Sequence, residues 1–370
     1  RSRYADAEKA FDVKLPSLIV HTKLAHGPLP GGALPPRLAS AVSTFQIDPG
    51  DGQPFDVPGT LSSNIGLGGE SDGRLILEAG ASNLDGARLE WQGVDRVVDR
   101  VAAAAYGLRE GQITAMIHTG SRGLGHQVCS EHVAAIEAKY QRSGDEWVAP
   151  EWGYRVRDRQ LAAAPIFSRE GEAYLDAMRA AGNYAFANRS ALTQRLRGVL
   201  REHLGPDGEL GVVYDVSHNI AKVEDHVVHG KTCKCCVHRK GATRALGGDH
   251  PELASRFSSV GQPVLVPGDM GTASWVLAGP PKGGNDAFSS SCHGAGRQLS
   301  RTAARKSVDA IALMERLEQQ GVHVRAKTPN VLSEEAPEAY KDVDDVVRLT
   351  ERAGLARPVV RMRPLAVIKG

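Results

Sequence analysis

The chain has 370 residues, 41% of them hydrophobic but only 5% aromatic. It can therefore bury one large core or two ordinary ones, built mostly from Val, Leu, Ile and Ala. Its 45 basic and 43 acidic residues leave a formal charge of +2, which excludes a polycation and confines any nucleic-acid surface to a local patch.

Residues 1–95 follow no clear period. Pro and Gly crowd 27–36 and 49–59, and 65–86 is rich in Gly, Ser and Asp around Leu75-Ile76-Leu77. Short strands, loops and disorder all stay open there. From Val97 the text changes. Val97 to Tyr106 reads as a short helix, and Ile113 to His118 as a buried strand. A Gly-rich loop, Thr119 to His126, carries Arg122, and a helix is expected over Gln127–Tyr140. One or two helices should fill Glu172–Leu204. Gly211 to Asn219 reads as a strand that ends at His218, and Pro263 to Gly271 as a strand entering a Gly turn, with Thr272–Ala278 returning beside it. After the small-residue turn Cys292-His293-Gly294-Ala295-Gly296, a helix is expected to run to about Gln320. Leu299, Ala303, Ile311, Met314 and Leu317 would lie near its core face. A helix over Val343–Ala353 and a strand over Val359–Ile368 close the chain. Strands and helices mix without regular alternation, which predicts an α+β fold.

Cysteine use adds a bound. There are five, three of them at Cys233, Cys235 and Cys236. That is no disulfide framework and suits a reducing cytoplasm. With His238 these thiols fit no second zinc half-site, so a hairpin tip with incidental thiols is expected. No apolar run reaches membrane-spanning length, and no signal-peptide pattern opens the sequence.

Three histidines share one setting. His118, His218 and His293 each end an apolar run and enter a small or polar turn. Strand ends present functional side chains, and neutral imidazole ligates transition metals. Beyond His293, Arg297, Arg301 and Arg305 recur every four residues. On a helix starting at the turn they would stack on one face, with free N–H groups aimed back at the histidine. That would set a nucleophile beside a phosphate trap. The Gly-rich turns at 120–125, 267–271 and 294–296 could also offer N–H groups to anions, although none is a P-loop or a dinucleotide fingerprint.

Several segments taken together resemble the RtcB family of RNA-splicing ligases. They are Ile117-His118-Thr119-Gly120-Ser121-Arg122-Gly123, Ser217-His218-Asn219-Ile220-Ala221-Lys222, Val237-His238-Arg239-Lys240-Gly241-Ala242-Thr243-Arg244-Ala245, Pro267-Gly268-Asp269-Met270-Gly271-Thr272-Ala273-Ser274, Cys292-His293-Gly294-Ala295-Gly296-Arg297 and Pro364-Leu365-Ala366-Val367-Ile368-Lys369-Gly370. The resemblance spans about residues 95–370. It implies mixed sheets with flanking helices around a central metal and nucleotide cleft, with a divergent or incomplete segment over 1–95 and a catalytic domain over 96–370.

The resemblance also implies an activity. Such enzymes join RNA ends bearing a 2′,3′-cyclic phosphate or 3′-phosphate to a 5′-hydroxyl, using GTP and Mn2+. The substrates would be tRNA halves or broken RNA ends, with an archease-type protein as a possible activator. His293 matches the histidine that takes GMP. His118 and His218 match metal ligands. His218, Asn219, Pro267, Gly268, Asp269, Met270, Ser274, His293, Gly294, Ala295, Gly296, Tyr340 and Lys369 match guanylate contacts. Arg122, Lys240, Arg297 and Arg301 fall where RNA or phosphate would lie. Asp269 stands where the family commonly has serine. Two upstream segments of the pattern, Asp-x-x-Cys-Gly and Gly-Asn-His-Phe, are not found. The alternative reading is therefore a homologue that binds RNA or nucleotide with impaired catalysis.

Overall fold

The computed structural model describes residues 20–22, 88–326 and 332–369. The expectations for residues 1–87 otherwise lie outside these. The chain divides into two compact units. The described part of the first is 119–191; that of the second is 20–22, 88–118, 192–326 and 332–369.

In the second unit, strand β1 (Val20–Thr22) pairs with two later strands, while β2 (Arg88–Val97) is buried over its first seven residues. The expected boundary at 95/96 falls inside β2. Sequence periodicity passed this strand over because both of its faces are covered. Leu89 and Trp91 alternate with Arg88, Glu90 and Gln92, and all five are buried. The polar side is tolerated because its charges pair, with Arg88 Nε 2.8 Å from Glu90 Oε1.

Helix α1 (Arg100–Tyr106) begins three residues later than expected, because the Asp99 carboxylate accepts from the N–H groups of Val101 and Ala102. Strand β3 (Ile113–His118) is the expected one. It leads into the first unit, where α2 (Arg122–Glu137) starts within the Gly-rich loop rather than after it. A small meander follows, β4 (Gln141–Ser143), β5 (Glu146–Ala149) and β6 (Tyr154–Val156). Helix α3 (Arg169–Leu204) is a single helix of 36 residues.

Strand β7 (Leu210–Val212) is short, and His218 lies on the irregular link before β8 (Asn219–Val228). The strand expected over 211–219 is thus two strands with a break. Strand β8 forms a hairpin with β9 (Lys231–Lys240). The hairpin turns at His229-Gly230, and the cysteines sit on β9 just past the tip. Next come β10 (Ala242–Arg244), β11 (Pro263–Val266) and its antiparallel return β12 (Ser274–Ala278), then β13 (Ser290–Cys292), which pairs with β10.

The long helix expected after His293 is absent. Gly296 has φ +77°, and Arg297 forms a β-bridge with Tyr340. Helix α4 (Arg301–Ser307) starts only where Ser300 Oγ accepts from Ala303 N–H. It then stops, and α5 (Ala310–Gln319) restarts under Asp309, which accepts from the N–H groups of Ile311 and Ala312. The core face of α5 is Ala310, Leu313 and Leu317, and Ile311 is exposed. Strand β14 (His323–Ala326), helix α6 (Val343–Arg352) and β15 (Arg357–Lys369) complete the chain.

One eight-stranded sheet organises the described second unit, in the order β11-β12-β15-β2-β3-β1-β7, with β14 parallel on β15. Strand β15 borders three others. Its register slips beside Pro364, which has no N–H to give the ladder. Three clusters pack against this sheet. Tyr106 of α1 meets Phe257 edge to face at 5.4 Å. Val343 and Val347 of α6 meet Trp275 and Leu277. Leu313 and Leu317 of α5 meet Met270, Val324 and Val367. Among the described residues, no helix is long and apolar enough to cross a membrane.

Candidate active site

His118 ends β3, His218 precedes β8 and His293 follows β13. The fold brings all three imidazoles together. The Nε2 atoms of His118 and His218 are 3.3 Å apart. The rings of His218 and His293 stack at 3.7 Å with a 10° interplanar angle, while His118 stands edge-on to His293 at 5.4 Å. One ring nitrogen from each lies within 4.8 Å of the others, a spacing that can hold a metal ion. Both ring nitrogens of His293 are buried without a hydrogen-bond partner among the described residues. Buried polar atoms normally have partners, so an orphaned pair points to a ligand. Burial pushes the His293 imidazole well below its ordinary range, and the neighbouring His218, His118 and Arg88 push it the same way. The ring is therefore neutral near pH 7 and keeps a lone pair.

The turn after β11 lies against His293. A Cβ on Gly294 would meet Pro267 O at 3.5 Å, and one on Gly268 would stand 2.0 Å from Ala273 O. Only glycine fits at 268. Its N–H donates to Ser274 Oγ (3.1 Å), which also accepts from Gln92 Nε2 (2.8 Å). Arg88 Nη2 donates to Gly268 O at 3.1 Å. The Asp269 carboxylate accepts from the N–H groups of Gly271 (2.8 Å) and Thr272 (3.0 Å) and from Thr272 Oγ1 (2.7 Å). Its oxygens therefore serve the turn itself. Met270 and Ala295 are core residues.

A second polar group runs from the sheet to the C-terminal strand. Glu335 accepts from the Tyr340 hydroxyl (2.5 Å) and from Lys369 Nζ (3.4 Å), and pairs with Arg88 Nη1 (3.2 Å). Burial alone would raise the Glu335 carboxyl, but Lys369, Arg88 and the Tyr340 hydroxyl outweigh it and hold its pKa at about 2. Burial pushes Lys369 down, opposed by Glu335. Arg297 lies over the Tyr340 ring at 4.7 Å and donates to its hydroxyl at 2.8 Å. So Tyr340, Lys369 and Arg297 belong to one network, joined through Glu335.

The other expected residues are more dispersed. Asn219 Oδ1 accepts from Gly241 N–H at 3.0 Å, and Lys240, its partner across the hairpin, is exposed. Arg301 is exposed and 3.5 Å from Glu334, which also pairs with Arg305 at 2.7 Å. Because Arg297 precedes α4, the expected stack of three arginines on one helix face does not form. No helix N-terminus begins at His293 either. Arg122 opens α2 in the other unit, with φ +52°. Sequence reading missed Arg88, Glu90, Gln92 and Glu335. The signal for the first three was a polar stripe, Arg-x-Glu-x-Gln, interleaved with Leu and Trp.

The family model described as tRNA-splicing ligase RtcB matches residues 88–370. A model described as bacterial protein of unknown function (DUF945) matches residues 6–119. The RNA-splicing ligase RtcB of Mycobacterium tuberculosis is 50% identical over 282 residues, covering 76% of this chain and 62% of that protein. The tRNA-splicing ligases RtcB of Thermococcus kodakarensis and Archaeoglobus fulgidus are 49% and 47% identical over 285 residues, covering 76% of this chain and 57% of each. The match thus spans about three-fifths of these relatives' length. The strands that deliver the three imidazoles all lie inside the matched region, and on that match the chain belongs to the RtcB family.

Proposed function

We propose that this chain is a GTP-dependent RNA ligase acting in the cytoplasm. It would join RNA ends carrying a 3′-phosphate or 2′,3′-cyclic phosphate to 5′-hydroxyl ends. The observation that carries the reading is the meeting of His118, His218 and His293, with both nitrogens of His293 buried and orphaned.

His118 and His218 are the metal ligands in this reading. Imidazole is a softer donor than manganese prefers, so these two rings would hold the ion only together with oxygen ligands, and His293 is left to react. A divalent ion bound there supplies charge neutralisation at the phosphates. The neutral His293 ring attacks the α-phosphorus of GTP, forming an N–P bond while the bond to pyrophosphate breaks. A 2′,3′-cyclic end would first be opened by water, which breaks the bond to the 2′-oxygen and leaves a 3′-phosphate; the guanylate then passes from His293 to that 3′-phosphate. The 5′-hydroxyl attacks that activated end, GMP leaves, and a phosphodiester remains. Ser274, Tyr340 and Lys369 would orient the guanylate, and Arg297 would set the Tyr340 ring. Lys240 and Arg301, both exposed, suit contact with RNA phosphates, as does Arg122. tRNA halves or broken RNAs are the expected substrates, and an archease-type activator the expected partner.

The test is direct. Folded protein incubated with labelled GTP and Mn2+ should gain an acid-labile, base-stable adduct and then join a 3′-phosphate RNA to a 5′-hydroxyl RNA. His293→Ala should lose both. Protein that binds RNA in a salt-dependent manner yet forms no adduct would point instead to a binding homologue without ligase chemistry.

A further inference from the structure

His218 sits one residue before the hairpin β8–β9, and His293 one residue after β13. What fixes one ring against the other must therefore connect the hairpin to β13. The approach to β13 is strained. Phe288 and Ser289 are consecutive non-glycine residues in the left-handed region, with φ of +52° and +49°. Such a pair persists only where its surroundings over-determine it.

Two side chains do so. Asn285 Oδ1 accepts from the N–H groups of Ala287 (3.0 Å) and Ser290 (3.2 Å), and its Nδ2 donates to Ser290 O (2.9 Å). Arg239, on β9, has a side chain only 2% exposed. Its Nη2 donates to Phe288 O (2.9 Å) and its Nε to Ser290 Oγ (2.9 Å). Toward the hairpin, Nη1 and Nη2 donate to the two oxygens of Glu224 on β8, at 2.9 and 2.8 Å. One buried guanidinium thus joins β8, β9, the strained turn and β13.

We propose that Arg239 is a positioning residue: paired with Glu224, it holds the Phe288–Ser289 turn in the conformation that sets the His293 ring against His218. The fork geometry matters. A lysine's three N–H groups leave one nitrogen and cannot reproduce the four donations, two to Glu224 and one each to Phe288 and Ser290, that Arg239 makes from three separate nitrogens. The effect on activity rests on the ligase reading above; the effect on the turn does not.

The test uses Arg239→Met and Arg239→Lys, with two readouts: hydrogen–deuterium exchange of the 286–293 segment, and the rate of the guanylate adduct. Both variants should exchange faster there and form the adduct about tenfold more slowly or worse. Ser290→Ala, which leaves the Glu224 pair whole, should move exchange in the same direction if the arginine variants do not fold. Ser289→Gly should restore exchange and rate to the arginine variants, because glycine adopts that φ without strain. The control is His229→Gly at the exposed hairpin tip, where φ is also positive, +51°. It should stabilise similarly but rescue neither readout. Unchanged exchange at 286–293, or equal rescue by both glycines, would overturn the proposal. Wild-type protein that forms no adduct would defeat the ligase reading alone, and the exchange readout would still decide this one.

Discussion

The buried residues beside the imidazoles differ in how far the sequence announced them. His118, His218 and His293 were legible because each closes an apolar run at a turn. The Asp269 carboxylate caps the turn of Gly271 and Thr272, a role that its place in the text did not announce. Glu335 gave no signal, since nothing adjacent in the text marks a carboxylate that meets Arg88 247 residues away. Its pKa makes a prediction with a definite sign. A carboxyl held at about 2 in the folded protein, against its ordinary value of roughly 4.5, stabilises the fold above that ordinary value. The contribution, on the order of 3 kcal/mol, should drain away as pH falls from there toward 2. Urea unfolding across that window should show the loss in wild type and a flatter profile in Glu335→Gln. At neutral pH the variant should be less stable, because Lys369 loses its counter-charge and Arg88 keeps only Glu90 as a carboxylate partner. A second prediction concerns Gly268. Gly268→Ala forces a Cβ into the Ala273 carbonyl, and should cost on the order of 3 kcal/mol in the same measurement.

Among the elements, those with one clear period were readable. Ile113–His118, Pro263–Val266, Ser274–Ala278 and Val343–Arg352 fall close to expectation. Strand β2 was not, because its second face buries ion-paired charges instead of apolar groups. The break between α4 and α5 was hidden for a different reason. Leu299, Ala303, Ile311, Met314 and Leu317 keep helical phase across it, and only the capping residues Ser300 and Asp309 mark the two starts. This distinction can be measured by sign. In a continuous helix, Asp309→Ala would replace a poor helix former with the best and stabilise the protein. As the cap of α5, Asp309 instead accepts two backbone N–H groups, so the substitution should destabilise by about 1 kcal/mol. Thermal or denaturant unfolding of Asp309→Ala checks it.

At the level of the molecule, β15 joins β12, β14 and β2 in one sheet and ends in Lys369 beside Glu335. The polar network at the site is therefore anchored on the same strand that closes the core. Val367 is fully buried at that junction. Val367→Asp should cost 4 kcal/mol or more, of the order seen for an unpaired buried charge, and should remove cooperative unfolding and guanylate binding together. The α+β class was legible from the mixed order of elements, whereas the pairing of β15 with β2, over two hundred residues away, was not, since register between distant strands leaves no local trace. The account as a whole depends on His293 being the atom-bearing centre of the chemistry. Mass spectrometry of the protein after incubation with GTP and Mn2+ tests that most directly. The account predicts a single guanylate on the peptide containing His293, absent in His293→Ala and lost or greatly reduced in His118→Ala and His218→Ala. A guanylate on another residue, or one that persists in His293→Ala, would contradict it.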